Sequence, residues 1–144
     1  LLLEVLGYRE ESPLMYAASH VGVASGLATL LRAHPHHANN SMCYLPHHLL
    51  QKFKVTEKMI FQGPKSEEDV EAIRNIAHDV ASQAYAHMKA AREQFEKVDL
   101  QDRKKTTKGL LSAVYTNLIL QALEKNSFDP YITATQLSQR APLT

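Results

Sequence analysis

The chain has 144 residues, 44% of them hydrophobic and 22% charged, and its sixteen Lys and Arg nearly balance fifteen Asp and Glu for a net charge of +1. That is one domain's worth of chain, with apolar residues enough for a core and too many for disorder. The even charge argues against bulk electrostatic binding of nucleic acid. Apolar runs are only a few residues long, short of the roughly 20 that a transmembrane helix requires, and the single Cys43 excludes an internal disulfide and suits a reducing compartment.

The opening LLLEVLGYRE has no initiator Met, charged leader or cleavage site, and reads as the last turns of a helix that begins upstream and closes at Gly7. Ser12-Pro13 then pairs an N-cap with proline at the first helical position. From there Leu14, Ala17, Val21, Ala24, Ala28 and Leu31 recur at helical spacing, predicting a helix from Pro13 to about Arg32. Ala17, Ala18, Ser19, Gly22, Ser25 and Gly26 make it thin, which suggests close packing by neighbours inside a helical bundle. Residues 33–43 read as a polar loop. Pro46 opens a short helix over HHLLQKF, Thr56 caps a further turn or two, and Gly63-Pro64 marks a turn.

Ser66 with Asp69 three residues on resembles a capping box. Val70, Ile73, Ala77, Val80, Ala84, His87, Ala91 and Val98, with Phe95 beside them, then predict a helix of about 30 residues with one buried face. The charged residues 99–108 break that pattern. A further helix from about Lys108 to Lys125 carries Leu110, Leu111, Val114, Tyr115, Leu118, Ile119, Ala122 and Leu123, and Asp129-Pro130 caps a last short one. No segment alternates with period two, so the expected fold class is all-α.

Eight histidines raise the question of a metal. His34, His36, His37, His47 and His48 are close in sequence, yet no pair has i,i+4 spacing within one predicted helix and Cys43 is the only thiol near them. They read as a solvated loop, and no metal site is assigned. His87 falls on the apolar stripe and reads as a core or boundary histidine with a hydrogen-bond partner. Arg32 reads most simply as the cation at the C-terminus of its own helix. Between Glu11 and Glu57 there is no Asp or Glu.

Residues 17–46, AASHVGVASGLATLLRAHPHHANNSMCYLP, resemble without a gap a signature region of the squalene/phytoene synthase family. In active members this segment runs small-x-x-x-Gly-x-Ala-x-Gln-x-x-Asn-x-x-Arg-Asp-x-x-x-Asp, followed by an Arg and then Tyr-Leu-Pro. Gly22, Ala24, Arg32, Tyr44, Leu45 and Pro46 keep their places. Gly26 stands at the Gln, Thr29 at the Asn, Ala33 and His37 at the two Asp, and Met42 at the second Arg. The resemblance implies an isoprenoid-synthase-type helical bundle, of which residues 1–144 would form the C-terminal part with the N-terminal half absent. It also implies a degenerate site, since diphosphate ionisation uses Mg²⁺ held by oxygen ligands that these positions do not supply. No catalytic residue and no cofactor are expected. Arg32 and Tyr44 remain as candidates for a residual anion or ligand contact.

Within the family the chain is most similar to a group of mitochondrial complex I assembly factors. The similarity lies in LLLEVLGY, AASHVGVASGLATLLRA, the Tyr-Leu-Pro turn, and DVASQAYAHMKAAR at 79–92 with Asp79, Ala81, Ser82, Gln83, Ala84, His87, Ala91 and Arg92. That implies a non-catalytic protein on the matrix side of the mitochondrial inner membrane. It would bind complex I subunits or assembly intermediates, with peripheral membrane contact and room for a lipid or isoprenoid. Two alternatives stay open: an isoprenoid-binding pseudoenzyme, and an active prenyl-diphosphate transferase whose ligands come from elsewhere.

Overall fold

The computed structural model describes Val5, Gly7 and residues 12–140. Most of the first helical fragment, predicted to close at Gly7, lies outside the described residues; Gly7 has φ +87. Among the described residues every regular element is helical: α1 Pro13–Asn39, α2 His47–Lys52, α3 Glu57–Gln62, α4 Glu67–Phe95, α5 Leu100–Thr106, a 3-10 turn Thr107–Leu110, α6 Leu111–Lys125 and α7 Pro130–Arg140. The all-α expectation holds.

α1 starts as its sequence dictates, with Ser12 Oγ accepting from the Met15 amide at 3.2 Å and Pro13 inside the first turn. It does not stop near Arg32. Residues 33–39 continue the helix, because His34 and Ala38 prolong the buried stripe begun by Leu14, Ala17, Val21, Ala24, Ala28 and Leu31. Burial along that stripe outweighs the amide hydrogen that Pro35 lacks. The helix closes where Asn40 Nδ2 donates to the His36 carbonyl at 2.8 Å and Ser41 turns left-handed at φ 55. By length and composition α1 could cross a bilayer. Here it is the central helix of a bundle, and its buried stripe packs on α4, α6 and α7.

Gly22 and Gly26 are not where neighbours come close. Both are exposed, and a Cβ at either would meet nothing within 4 Å. The close approach to α4 runs instead through alanines, Ala17, Ala24 and Ala28 on α1 and Ala77, Ala81, Ala84 and Ala91 on α4. Ser66 Oγ caps α4 through the Asp69 amide at 3.1 Å, while Asp69 Oδ2 accepts from the Lys65 amide at 3.0 Å. Thr56 caps α3 in the same way. On α4 the buried set also takes in Ile76 and Met88, whereas Val70 and His87 are half-buried.

The charged stretch 99–108 is helical. Arg103 turns back to donate to the Val98 carbonyl at 2.7 Å and to the Glu96 carbonyl, with its guanidinium 5.5 Å over the Phe95 ring. A cation there satisfies carbonyls at the end of α4 and so orders the segment after it. α6 buries Thr116, Ile119, Leu120 and Leu123. Leu111, Val114, Tyr115 and Leu118, apolar positions of the same predicted helix, face outward. Asp129 Oδ1 accepts from the Tyr131 and Ile132 amides at 2.9 and 3.1 Å and starts α7.

Candidate functional site

The residues singled out on α1 divide between its sides. Gly26 and Thr29 are exposed, and Ala33 and Arg32 are half-buried. Arg32 does not cap its own helix, since α1 continues to Asn39 and its last turn holds His36 and His37. Its guanidinium lies 5.9 Å from the Tyr115 ring centroid, a cation–π contact between α1 and α6, and its Nε is buried without a hydrogen-bond partner. Together with His36, Tyr115 and Ser138 it lines a cavity of about 390 Å³ between α1, α6 and α7.

Tyr44 belongs to a different group. Its ring meets His37 edge-on at 4.7 Å and its hydroxyl donates to the Met42 sulfur at 3.4 Å. His37 is half-buried, and its Nδ1 lacks a partner. The structure thus brings His37, Met42 and Tyr44 together and directs Arg32 elsewhere. The side chains at positions 26, 29, 33 and 37 are a hydrogen, a hydroxyl-bearing threonine, a methyl and an imidazole. That set does not suit Mg²⁺, which prefers carboxylate and phosphate oxygens.

The histidines do not form one loop cluster. His36, His47 and His48 are exposed, and among the described residues no three of His, Cys, Asp and Glu converge on a metal-sized point. His34 is buried at 1% exposure, with Nε2 3.5 Å from the Tyr131 hydroxyl and the two rings edge-to-face at 5.8 Å. Burial, with the nearby His37 adding to it, pushes its pKa from the ordinary 6.5 to about 4. Burial likewise raises the Tyr131 phenol and the Cys43 thiol, which leaves Cys43 a poor nucleophile. The reading of His34 as a solvated loop residue is overturned. The 31–34–38 spacing was the signal that could have revealed it.

His87 has the hydrogen-bond partner expected of it. Its Nδ1 lies 2.9 Å from His20 Nδ1, so one ring donates and the other accepts across the α1–α4 interface. Asp79 forms a 2.8 Å ion pair with Lys52 on α2, and Lys52, helped by His78, holds its carboxyl pKa below the ordinary value against the opposing effect of burial. Arg92 Nη2 is 3.5 Å from Asn117 Oδ1, at the rim of an apolar cavity of about 260 Å³ walled by Val21, Met88, Phe95 and Leu110. The 79–92 pattern therefore falls on contacts that join α4 to α1, α2 and α6.

A family model described as squalene/phytoene synthase matches residues 1–144. The chain is 38% identical over 128 residues to a Drosophila melanogaster protein named NADH dehydrogenase (ubiquinone) complex I, assembly factor 6 homolog, covering 89% of this chain and 36% of that one. It is 35% identical over 92 residues to the Rattus norvegicus complex I assembly factor 6, covering 64% and 26%. The Homo sapiens protein of that name is 29% identical over 136 residues, covering 94% and 38%. The matched part of the chain thus spans only 26% to 38% of the length of these curated relatives. No solved structure matches it.

Proposed function

This chain belongs to the squalene/phytoene synthase family, and we propose that it is a non-catalytic member that acts in the assembly of mitochondrial complex I by binding an assembly intermediate. The observation that carries the reading is its 38% identity, over 89% of its length, to a relative named as a complex I assembly factor. A second support is chemical. The face of α1 carrying Gly26, Thr29, Ala33 and His37 offers no carboxylate, and no Asp or Glu lies between residues 12 and 56 to replace one. A binding role needs none. On this reading the prenyltransferase site is degenerate, and residues 1–144 are the C-terminal part of an isoprenoid-synthase-type bundle. The protein works at the matrix side of the mitochondrial inner membrane, in peripheral contact with it. Any residual anion contact falls to Arg32, with Tyr44 acting separately through its exposed hydroxyl.

The test is a knockout followed by native-gel quantification of assembled complex I, with rescue by the wild-type gene and by Arg32→Ala. Selective loss of complex I, restored by both, is the expected result. Rescue by the wild type alone makes an anion contact at Arg32 part of the function. Normal complex I in the knockout refutes the assembly role.

A further inference from the structure

The contact between His20 and His87 joins two segments that the sequence singles out, 17–33 on α1 and 79–92 on α4, and binding an assembly intermediate does not require it. The surroundings are alike on both helices. Ala17 and Ala24 lie at i−3 and i+4 from His20, Ala84 and Ala91 at i−3 and i+4 from His87, and all four are buried. Such small side chains let two helix backbones approach closely, and at the edge of the interface the imidazoles meet, Nδ1 to Nδ1 at 2.9 Å. Both rings are half-buried, while Tyr16 and Gln83, one turn before each of them, are exposed. Water therefore reaches the pair from one side.

Two nitrogens held this close by different helices are also the donor pair of a chelate. An ion about 2.0–2.1 Å from each would see them at about 90°, the cis angle of square-planar or octahedral coordination, whereas a tetrahedral ion needs them about 3.3–3.4 Å apart. Imidazole suits copper, nickel and zinc, while Mg²⁺ and Ca²⁺ take oxygen. No carboxylate is at hand for that second class. α1 has no Asp or Glu, and positions 83, 84, 90 and 91, which flank His87 on its side of α4, are Gln, Ala, Ala and Ala.

We propose that His20 and His87 form a two-histidine site that binds one divalent transition-metal ion through both Nδ1 atoms, Cu²⁺ or Ni²⁺ in preference to Zn²⁺, with water in the remaining positions. In the metal-free pair one Nδ1 carries a proton and donates it to the other. The ion takes the place of that hydrogen bond. The donor ring passes its proton by way of water from Nδ1 to Nε2, both rings turn their Nδ1 lone pairs onto the ion, and the pair loses no proton. The bound ion then ties α1 to α4 across their interface. The site uses nothing from complex I, so its failure leaves the assembly role standing, and normal complex I in a knockout leaves the site standing.

The test is calorimetric titration of the protein with NiCl₂ at about pH 7.5, in a His36→Gln/His47→Gln/His48→Gln background that removes three exposed histidines. One Ni²⁺ per chain should bind, Zn²⁺ more weakly and Mg²⁺ not at all. Adding His20→Gln or His87→Gln should weaken Ni²⁺ binding at least about 10-fold. Nickel should raise the melting temperature of the background protein, since it binds the folded state across two helices, and leave that of either variant unchanged. Electron paramagnetic resonance of the background protein with one Cu²⁺ should show nitrogen coupling from two imidazoles, a readout that needs no substitution in the pair. No Ni²⁺ binding, coupling from a single imidazole, Ni²⁺ affinity that survives both substitutions, or Zn²⁺ bound as tightly as Ni²⁺ would overturn the proposal.

Discussion

His34 allows the energetics of the bundle to be tested through a single proton. The imidazole is buried between α1 and α7 at 1% exposure, and its pKa stands at about 4 against 6.5 for the ordinary side chain. The folded state thus prefers the neutral ring, and between those values the unfolded chain binds more protons. Stability must fall as pH falls through 6.5, and the loss is complete only below about 4. At about 1.4 kcal/mol per pKa unit the full effect is about 3 kcal/mol, and roughly 2 kcal/mol of it should appear between about pH 7.5 and pH 5. Other titrating groups also contribute, so the assay is a comparison. Urea unfolding of the wild type and of His34→Leu across that range removes everything except the one ring. The wild type should lose about 2 kcal/mol more than the variant on acidification. Parallel curves, within about 0.5 kcal/mol, would mean that His34 is protonated in the folded state or is reached by water, and the packing of α7 over it would be wrong.

Other substitutions address other parts of the structure. Leu120→Ala should cost about 2–5 kcal/mol in urea unfolding and Leu118→Ala less than about 0.5 kcal/mol; equal costs would show that the wrong side of α6 has been placed inward. Gly26→Ala should stabilise by about 0.5–1 kcal/mol, because the position is helical, exposed and open; a clear loss on thermal melting would restore the tight packing suggested by the sequence. Asp79→Asn should cost about 0.5 kcal/mol, as for a partly exposed ion pair. The Asp79 carboxyl pKa is lowered on folding, so its contribution is present above the ordinary carboxylate range and lost as pH falls through the lowered value; a difference between variant and wild type that persists in strong acid would contradict that assignment.

Much of the fold was legible because its signals are local. Ser12, Thr56, Ser66 and Asp129 each cap the helix that their position announces, and the period of α4 predicted both its length and most of its buried face. Three features were missed. The extension of α1 past Arg32 depends on burial of His34 and Ala38 against other helices, which overrides what Pro35 and a run of histidines say locally. The helix in 99–108 depends on Arg103 finding the end of α4. The sidedness of α6 was hidden because its apolar residues encircle the helix, and periodicity decides a face only where one side is polar. In the site, position 87 signalled a partner but could not name His20, which lies 67 residues away.

On the proposed reading of a degenerate site, the geometry of α1 would let a family scaffold lose its carboxylates and still fold. Positions 26, 29, 33 and 37, where the resemblance places Gln, Asn and two Asp in active members, follow i, i+3, i+7 and i+11 and share one side of the helix. The stripe at 17, 21, 24, 28 and 31 forms the core against α4. None of the four substituted positions belongs to the buried set of α1, so replacing an Asp by Ala33 or by His37 removes a ligand without opening a cavity or leaving a buried charge unpaired. It also removes like-charge repulsion that a bound cation would otherwise have to offset. On that reading such changes would cost the fold little, and the same side would be left free to meet something other than a metal-bound diphosphate.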